Sequence, residues 1–133
     1  MKSRGFSLTE LIVVVAIMGM LTAIAVPAYI DNVLRSARAE GKTALLDVLQ
    51  AQENYFINEG SYTTNLTLVN FNNPHITSSG RYSITAGQCS DGSSIESCVL
   101  LTASAIGEQV DDGNLTINSR GERTHDGQSG WKK

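Results

Sequence analysis

The sequence lacks charged side chains over one long stretch, from Leu11 to Ile30. An α-helix rises about 1.5 Å per residue, so this apolar run is roughly 30 Å long, the thickness of the hydrocarbon core of a bilayer. Glu10 and Asp31 border the run, and Lys2 and Arg4 precede it. By the positive-inside rule the two basic residues place the N-terminus in the cytoplasm. We therefore expect a single membrane-spanning helix, with the rest of the chain exported.

The sequence also lacks the residue sets that perform catalysis or hold a cofactor. It contains no nucleophile–base pair, no phosphate-binding loop and no metal ligands at coordination spacing. His75 stands in a polar loop without a second ligand, and Asp111–Asn114 is more typical of a β-turn than of a calcium loop. We therefore expect a protein that is not an enzyme and that has no cofactor and no metal site.

Cysteine is scarce, with only Cys89 and Cys98, and eight residues lie between them. Both are far from the apolar run. An even number of cysteines in an exported segment favours a disulfide formed in an oxidising compartment, and the alternative is two unrelated thiols. A redox-active site would need a C-x-x-C motif or an activating neighbour, and neither is present.

The N-terminal residues do not follow the order of an ordinary secretory signal. In such a signal a small-residue cleavage site follows the apolar segment, whereas here Gly5 precedes it and no A-x-A-like site follows it. Glu10 is a second anomaly, because a carboxylate at the lipid boundary is costly and usually has a partner. The simpler alternative is that Glu10 reaches the headgroups from the edge of the run.

The stretch Lys2–Ile17 combines a short basic leader, a glycine before Phe6, a glutamate four positions after Phe6 and an apolar helix. It resembles the class III signal of type IV pilins and of the pseudopilins of type II secretion. The resemblance implies that prepilin peptidase, a membrane-embedded aspartyl protease, cuts between Gly5 and Phe6 and methylates the new N-terminus on Phe6. It further implies that Glu10 pairs with the N-terminal amine of a neighbouring subunit during assembly. Such a pair would favour the correct register between neighbouring subunits. A subunit docked out of register would leave an unpaired charge in an apolar bundle, which is strongly penalised.

One long helix is predicted from about Ser7 to Asn58. Pro27 removes a backbone donor and crowds the preceding turn, so we expect a kink there. The resemblance to type IV pilins implies that the stretch between Gly19 and Pro27 loses its helical hydrogen bonds when it packs in a filament.

Beyond Asp31 the helix becomes amphipathic, and one apolar face is expected to lie on a sheet. Three basic residues, Arg35, Arg38 and Lys42, follow Asp31. We expect them to form a solvated face with local pairing to Glu40, and the alternative is contact with the acidic head of a neighbouring subunit. The apolar positions are Leu34, Ala37, Gly41, Leu45, Val48, Leu49, Tyr55 and Phe56.

The rest of the chain predicts a small antiparallel sheet, because alternating apolar residues are separated by turn-rich segments. The fold class is therefore α+β. The resemblance specifies the pilin fold, in which one long N-terminal α-helix packs on a three- to four-stranded antiparallel β-sheet. The predicted strands are Arg81–Ala86, Cys98–Ile106, Asn114–Ser119 and a short one near Arg120–His125, and a loop with a helical turn near residues 64–69 precedes them.

The chain is expected to divide into a leader at residues 1–5, a transmembrane and filament-core segment at 6–30, and a periplasmic head at 31–133 that includes the C-terminal half of the helix. Arg38–Asp47 and Asn114–Arg123 are similar to PilE-like minor pilins. This similarity implies a structural subunit of a type IV pilus that serves adhesion, twitching motility or DNA uptake, and it favours a minor pilin without excluding the major one. Its partners would be other pilin subunits, prepilin peptidase and the assembly platform. It would reside in the inner membrane before assembly and in the extracellular pilus afterwards.

Two alternative functions remain open. A pseudopilin of type II secretion would share the same apolar helix, but the acidic calcium-binding C-terminal region of major pseudopilins has no counterpart here, since Asp126 is the only acid after Glu122. A tip pilin that binds DNA or surfaces would use the basic tail, although the net charge of −3 does not favour nucleic acid and Trp131 is the only aromatic residue interleaved with the tail. The simpler alternative is that the tail solvates the head. Its basic residues are Arg120, Arg123, Lys132 and Lys133.

Overall fold

The computed structural model describes residues 5–132. Lys2 and Arg4 of the leader, and Lys133 of the basic tail, lie outside the described residues. The chain divides into two compact units, one ending at Arg35 and the other beginning at Ser36. Helix α1, Leu8–Glu59, contributes to both. The single long helix predicted from the sequence is confirmed to within one residue at each end.

The described part of the first unit, residues 5–35, is almost entirely helical. Its apolar side chains, from Phe6 to Ile30, are all exposed. The segment is long and apolar enough to cross a membrane. Pro27 lies inside α1. A kink at Pro27 stays a prediction.

In the second unit, the part of α1 that follows Ser36 packs on one face of an antiparallel sheet of six strands. The strands follow one another in chain order, so each pairs with its sequence neighbour. Their bounds are β1 His75–Ile76, β2 Tyr82–Gln88, β3 Val99–Ala105, β4 Leu115–Asn118, β5 Arg123–His125 and β6 Gln128–Ser129.

The α+β fold class is confirmed, and the sheet has more strands than the three to four predicted. The three predicted strands correspond to β2, β3 and β4, and the short fourth corresponds to β5. The additional strands, β1 and β6, contain two residues each. A two-residue strand is too short to show the alternation on which strand prediction depends.

The remaining elements are short 3₁₀ helices. One, Leu66–Val69, follows α1 and matches the helical turn predicted near residues 64–69. The other, Gly107–Asp112, connects β3 to β4. It replaces the β-turn expected at Asp111–Asn114.

The core of the second unit lies between α1 and the sheet. Leu45 and Val48 of α1 face Tyr82, Leu101 and other strand residues, all of them buried. A Cβ atom at Gly41 would lie 2.9 Å from Cδ2 of Tyr82, so glycine is what allows α1 to lie this close to the sheet. The buried cluster comprises Leu45, Val48, Tyr62, Leu66, Val69, Tyr82, Ile84, Val99, Leu101, Ala103, Leu115 and Ile117.

Candidate functional site

The first candidate site is the segment Gly5–Glu10 at the start of α1. The Glu10 carboxylate accepts a hydrogen bond from the Ser7 backbone N–H at 2.9 Å, and the Ser7 hydroxyl accepts one from the Glu10 backbone N–H at 3.3 Å. These reciprocal bonds form a capping box, which satisfies donors that the first turn of a helix leaves unpaired. The capping box was not among the features predicted from the sequence, although serine followed three residues later by glutamate is its signature.

Phe6 and Glu10 are both exposed at this end of the helix, and the Phe6 side chain is 82% accessible. Phe6, Thr9, Glu10 and Val13 line one shallow depression there. The residues assigned to cleavage, methylation and assembly are thus neighbours on an accessible helix end. Cleavage between Gly5 and Phe6, methylation of Phe6 and pairing of Glu10 with another subunit stay predictions.

The second feature is the loop closed by the cysteines. Cys89 and Cys98 form a disulfide, which confirms the predicted pairing, and both are buried. Within the loop the Ser93 backbone N–H donates to the Asp91 carboxylate, and the Arg120 guanidinium bonds both side chains. The hydrogen bond from Ser93 and the Arg120 guanidinium hold the pKa of Asp91 well below its ordinary value. Arg120, which the sequence analysis assigned to the basic tail, therefore fixes the disulfide loop to the turn after β4.

A buried ion pair joins Arg38 of α1 to Asp112 at the end of the second 3₁₀ helix. Arg38 Nε lies 2.8 Å from Asp112 Oδ2, Arg38 Nη2 contacts Oδ1, and the two side chains are only 11% and 7% exposed. The expected solvated position of Arg38 is therefore wrong. Its spacing to Gly41, Leu45 and other buried positions of α1 places it on the stripe that faces the sheet.

Gln109, Tyr82 and the buried His125 ring, whose Nε2 lies 3.8 Å from Asp112 Oδ2, complete the surroundings of the Asp112 carboxylate. Gln109 Nε2 donates to Oδ2 at 2.9 Å, and the Tyr82 hydroxyl lies 3.4 Å from the same atom. Burial by itself would raise the pKa of Asp112, but the hydrogen bonds and charge of Arg38 outweigh burial, so the pKa lies below its ordinary value. Burial raises the pKa of Tyr82 to about 12. The Asp112 carboxylate is bound to Arg38. The segment that was compared with a calcium loop therefore holds α1 to the loop before β4.

The third feature is a group of cations around Trp131, which we call the Trp131 surface: Lys42, Arg123, Trp131 and Lys132. The Arg123 guanidinium carbon lies 4.8 Å from the centroid of the Trp131 ring, and Lys42 Nζ lies 6.0 Å from it. Trp131 Nε1 donates to the Thr116 carbonyl at 3.0 Å, and Lys42 Nζ donates to the Lys132 carbonyl. Burial and the nearby Arg38 lower the pKa of Lys42. The sheet thus brings the Arg123 guanidinium and the main chain of Lys132 beside Lys42 of α1.

The chain matches two known protein families. Residues 1–26 match the family described as the prokaryotic N-terminal methylation motif. Residues 27–116 match the family described as "Type IV minor pilin ComP, DNA uptake sequence receptor". The chain belongs to this ComP family of type IV pilins. The predicted pilin family and the minor-pilin interpretation are confirmed.

Three curated relatives of the pilin are type IV pilins from other bacteria. It is 44% identical to the major pilin PilA of Myxococcus xanthus over 62 residues, 47% of this chain and 28% of PilA. It is 34% identical to the major pilin PilE1 of Neisseria gonorrhoeae over 79 residues, 59% of this chain and 48% of PilE1. It is 52% identical to the major fimbrial protein FimA of Dichelobacter nodosus over 54 residues, 39% of this chain and 33% of FimA. The chain therefore matches less than half the length of each of these relatives.

The candidate functional residues of the pilin fall partly inside and partly outside the two family matches. Gly5, Phe6 and Glu10 fall in the methylation motif, and Lys42 falls in the ComP match. Arg123 lies beyond the ComP match, as do Trp131 and Lys132. The Trp131 surface therefore draws most of its residues from a part of the chain that the family match does not reach.

Proposed function

We propose that this pilin is a minor subunit of a type IV pilus that binds DNA outside the cell. The observation that carries the proposal is the match of residues 27–116 to a family whose description names a DNA uptake sequence receptor. The net charge of −3 does not by itself favour nucleic-acid binding. Net charge does not describe how charge is distributed: three arginines pair with carboxylates, whereas Lys42 and Arg123 lie together beside Trp131.

The route to the pilus follows from the N-terminal segment. The chain inserts once in the inner membrane with its N-terminus in the cytoplasm, and residues 31–133 form the exported head. Prepilin peptidase cuts between Gly5 and Phe6 and methylates Phe6, and the inner-membrane assembly platform then moves the subunit into a filament. The exposed apolar side chains from Leu11 to Ile30 support this, because lipid and a bundle of apolar pilin helices offer them similar surroundings.

Glu10 has a hydrogen-bonding partner both in the single chain and in the filament. In the single chain its carboxylate accepts the Ser7 N–H in the capping box. In the filament it meets the Phe6 amine of a neighbouring subunit. Both partners are nitrogen donors at a helix N-terminus, where a carboxylate is favoured by the helix dipole.

The test is deletion of the gene in the organism that encodes the pilin. We expect uptake of labelled duplex DNA to fall sharply while sheared filaments remain abundant, because a minor subunit is not needed for the bulk of the fibre. Complementation with the wild-type gene should restore uptake. Loss of all filaments would contradict the minor role, and unchanged DNA uptake would contradict the DNA-binding role. Mass spectrometry of the recovered pilin should show a chain that begins at a methylated Phe6.

A further inference from the structure

We infer that the Trp131 surface, formed by Lys42, Arg123, Trp131 and Lys132, is where this pilin holds the phosphate backbone of duplex DNA. The inference rests on the proposed DNA-binding function and gives it a location and a mode of contact. The surface is inferred to contact the phosphates of the DNA and not the edges of its bases.

The first argument concerns the distribution of charge in the second unit. Three of its arginines are each committed to a carboxylate: Arg38 to Asp112, Arg81 to Glu108 and Arg120 to Asp91. The remaining basic residues between positions 36 and 132 are Lys42, Arg123 and Lys132, and none of them forms an ion pair with a carboxylate of residues 5–132.

All three of these cations belong to one surface. Lys42 and Arg123 flank the Trp131 ring, and Lys132 is joined to Lys42 through its carbonyl. The carbonyl occupies one donor of the Lys42 ammonium without neutralising its charge. A polyanion approaching this unit therefore meets two cations that lack a carboxylate partner, Lys42 and Arg123, in one place, and phosphate contacts dominate the affinity of proteins for DNA.

The second argument is that the arginine of this surface is held in place. Strand pairing sets Arg123 opposite Ile117, and its guanidinium lies over the Trp131 ring. The ring is fixed in turn, because it packs against the core and its Nε1 donates to the Thr116 carbonyl. A guanidinium restricted in this way loses less conformational entropy when it binds, and its planar fork of donors fits a phosphate.

The third argument is the shape beside Arg123. Arg123 lines a shallow open depression together with Thr124, Ser129 and Gly130. Hydroxyls and the main chain at glycine are groups that commonly contact the sugar–phosphate backbone. Glu122 also lines this depression, and its carboxylate accepts a hydrogen bond from Asn118 Nδ2. Its negative charge would repel a phosphate bound at the same place. Removing that charge should therefore strengthen DNA binding if the surface contacts phosphates.

Phosphate contacts predict a particular signature in binding. They carry no sequence information, so their loss weakens binding to every duplex by the same factor. Each lost contact also lowers the slope of log affinity against log salt by about one. A residue that reads bases would instead reduce the preference for one sequence over another.

The experiment measures binding of a labelled DNA duplex by the full-length pilin in non-ionic detergent, by fluorescence anisotropy over a range of salt concentrations. Arg123→Gln is the principal variant and Lys42→Gln the second. The matched control is Arg81→Gln, which removes the same charge from an arginine that is paired with Glu108 on the same unit. Circular dichroism melts of all variants establish that they are folded.

We expect Arg123→Gln to weaken binding roughly tenfold, the loss of one charged hydrogen-bonding group, with the salt slope reduced by about one. Lys42→Gln should act in the same direction, and Arg81→Gln should bind within about twofold of the wild type. Glu122→Gln should bind more tightly than the wild type, because it removes the opposing charge and keeps an acceptor for Asn118.

The outcomes separate the two proposals. Binding by the wild type that Arg123→Gln and Arg81→Gln reduce equally would overturn the assignment of this surface and leave DNA binding intact. A loss in Arg123→Gln that is confined to one DNA sequence would also overturn it, since the contact would then be to bases. Failure of the wild type to bind any duplex would overturn the DNA-binding function itself.

Discussion

Arg38 and Asp112 are 74 residues apart in the sequence and form a buried two-point ion pair between α1 and the loop that leads into β4. A buried charge that loses its partner is strongly destabilising. We therefore expect Arg38→Ala to lower the free energy of unfolding of the second unit by about 3–5 kcal/mol. Trp131 is the only tryptophan, so its fluorescence during a guanidinium titration of the detergent-solubilised pilin reports on this unit.

The control for this measurement is Arg35→Ala. Arg35 pairs with Asp31 on the same helix, but both side chains are more than half exposed. An exposed pair contributes about 0–1 kcal/mol, so this variant should unfold almost as the wild type does. Similar midpoints for Arg38→Ala and Arg35→Ala would contradict the structural importance of the buried pair.

The same pair predicts the response of the pilin to acid. The pKa of Asp112 lies below its ordinary value of 3.8 in the folded chain. A carboxyl of this kind contributes stability that is fully present above its unfolded pKa and is lost as the pH falls through the folded value. We expect the unfolding free energy to fall from about pH 4 downwards. Asp112→Asn, which is less stable at neutral pH, should show a weaker fall, and an equally steep one would exclude Asp112 as its source.

The role of Glu10 is tested by two substitutions with different consequences for the capping box. Glu10→Gln keeps an oxygen that can accept from the Ser7 N–H, whereas Glu10→Ala removes it. Both remove the charge that would meet the Phe6 amine of a neighbour. We expect both variants to be cleaved and held in the membrane but to be poorly incorporated into sheared pili, as measured by immunoblotting.

Thr9→Ala is the control, because it leaves the Ser7–Glu10 bonds in place. It should be incorporated normally. Normal incorporation of Glu10→Gln would show that capping is sufficient and that the charge is not used. Normal incorporation of both Glu10 variants would remove Glu10 from assembly altogether.

The Cys89–Cys98 disulfide is expected to stabilise the folded pilin. Removing it in the double variant Cys89→Ser and Cys98→Ser should lower the unfolding free energy by about 2–3 kcal/mol, because the closed loop no longer restricts the unfolded chain. The wild type under reducing conditions should show the same shift of the unfolding midpoint. The exposed Arg120→Gln variant keeps the disulfide and should unfold nearly as the wild type does. Free thiols found in the exported wild-type pilin by mass mapping would refute the pairing.

Features that depend on local pattern were predictable from the sequence. The long helix follows from an apolar run continued by an amphipathic one, and β2, β3 and β4 follow from alternation in segments of four to seven residues. The Cys89–Cys98 pairing follows from the number of cysteines and the exported context. In each of these cases the controlling residues are close together in the chain.

Features that depend on distant partners were not predictable in the same way. The burial of Arg38 needs Asp112, which only the folded sheet brings to it. The Trp131 surface likewise needs α1 and β5 in their final places, because Lys42 and Arg123 are far apart in the sequence. The capping box is an exception, since its serine and glutamate are only three residues apart and match the capping-box signature.

The capping box also bears on how firmly a subunit is held after it joins a filament. Because Glu10 already accepts the Ser7 N–H within its own chain, docking on a neighbour's amine would exchange one donor for another. The free energy of that exchange is the difference between two interactions and is smaller than either one. Glu10 would then have a hydrogen-bond donor both before and after a subunit docks on its neighbour.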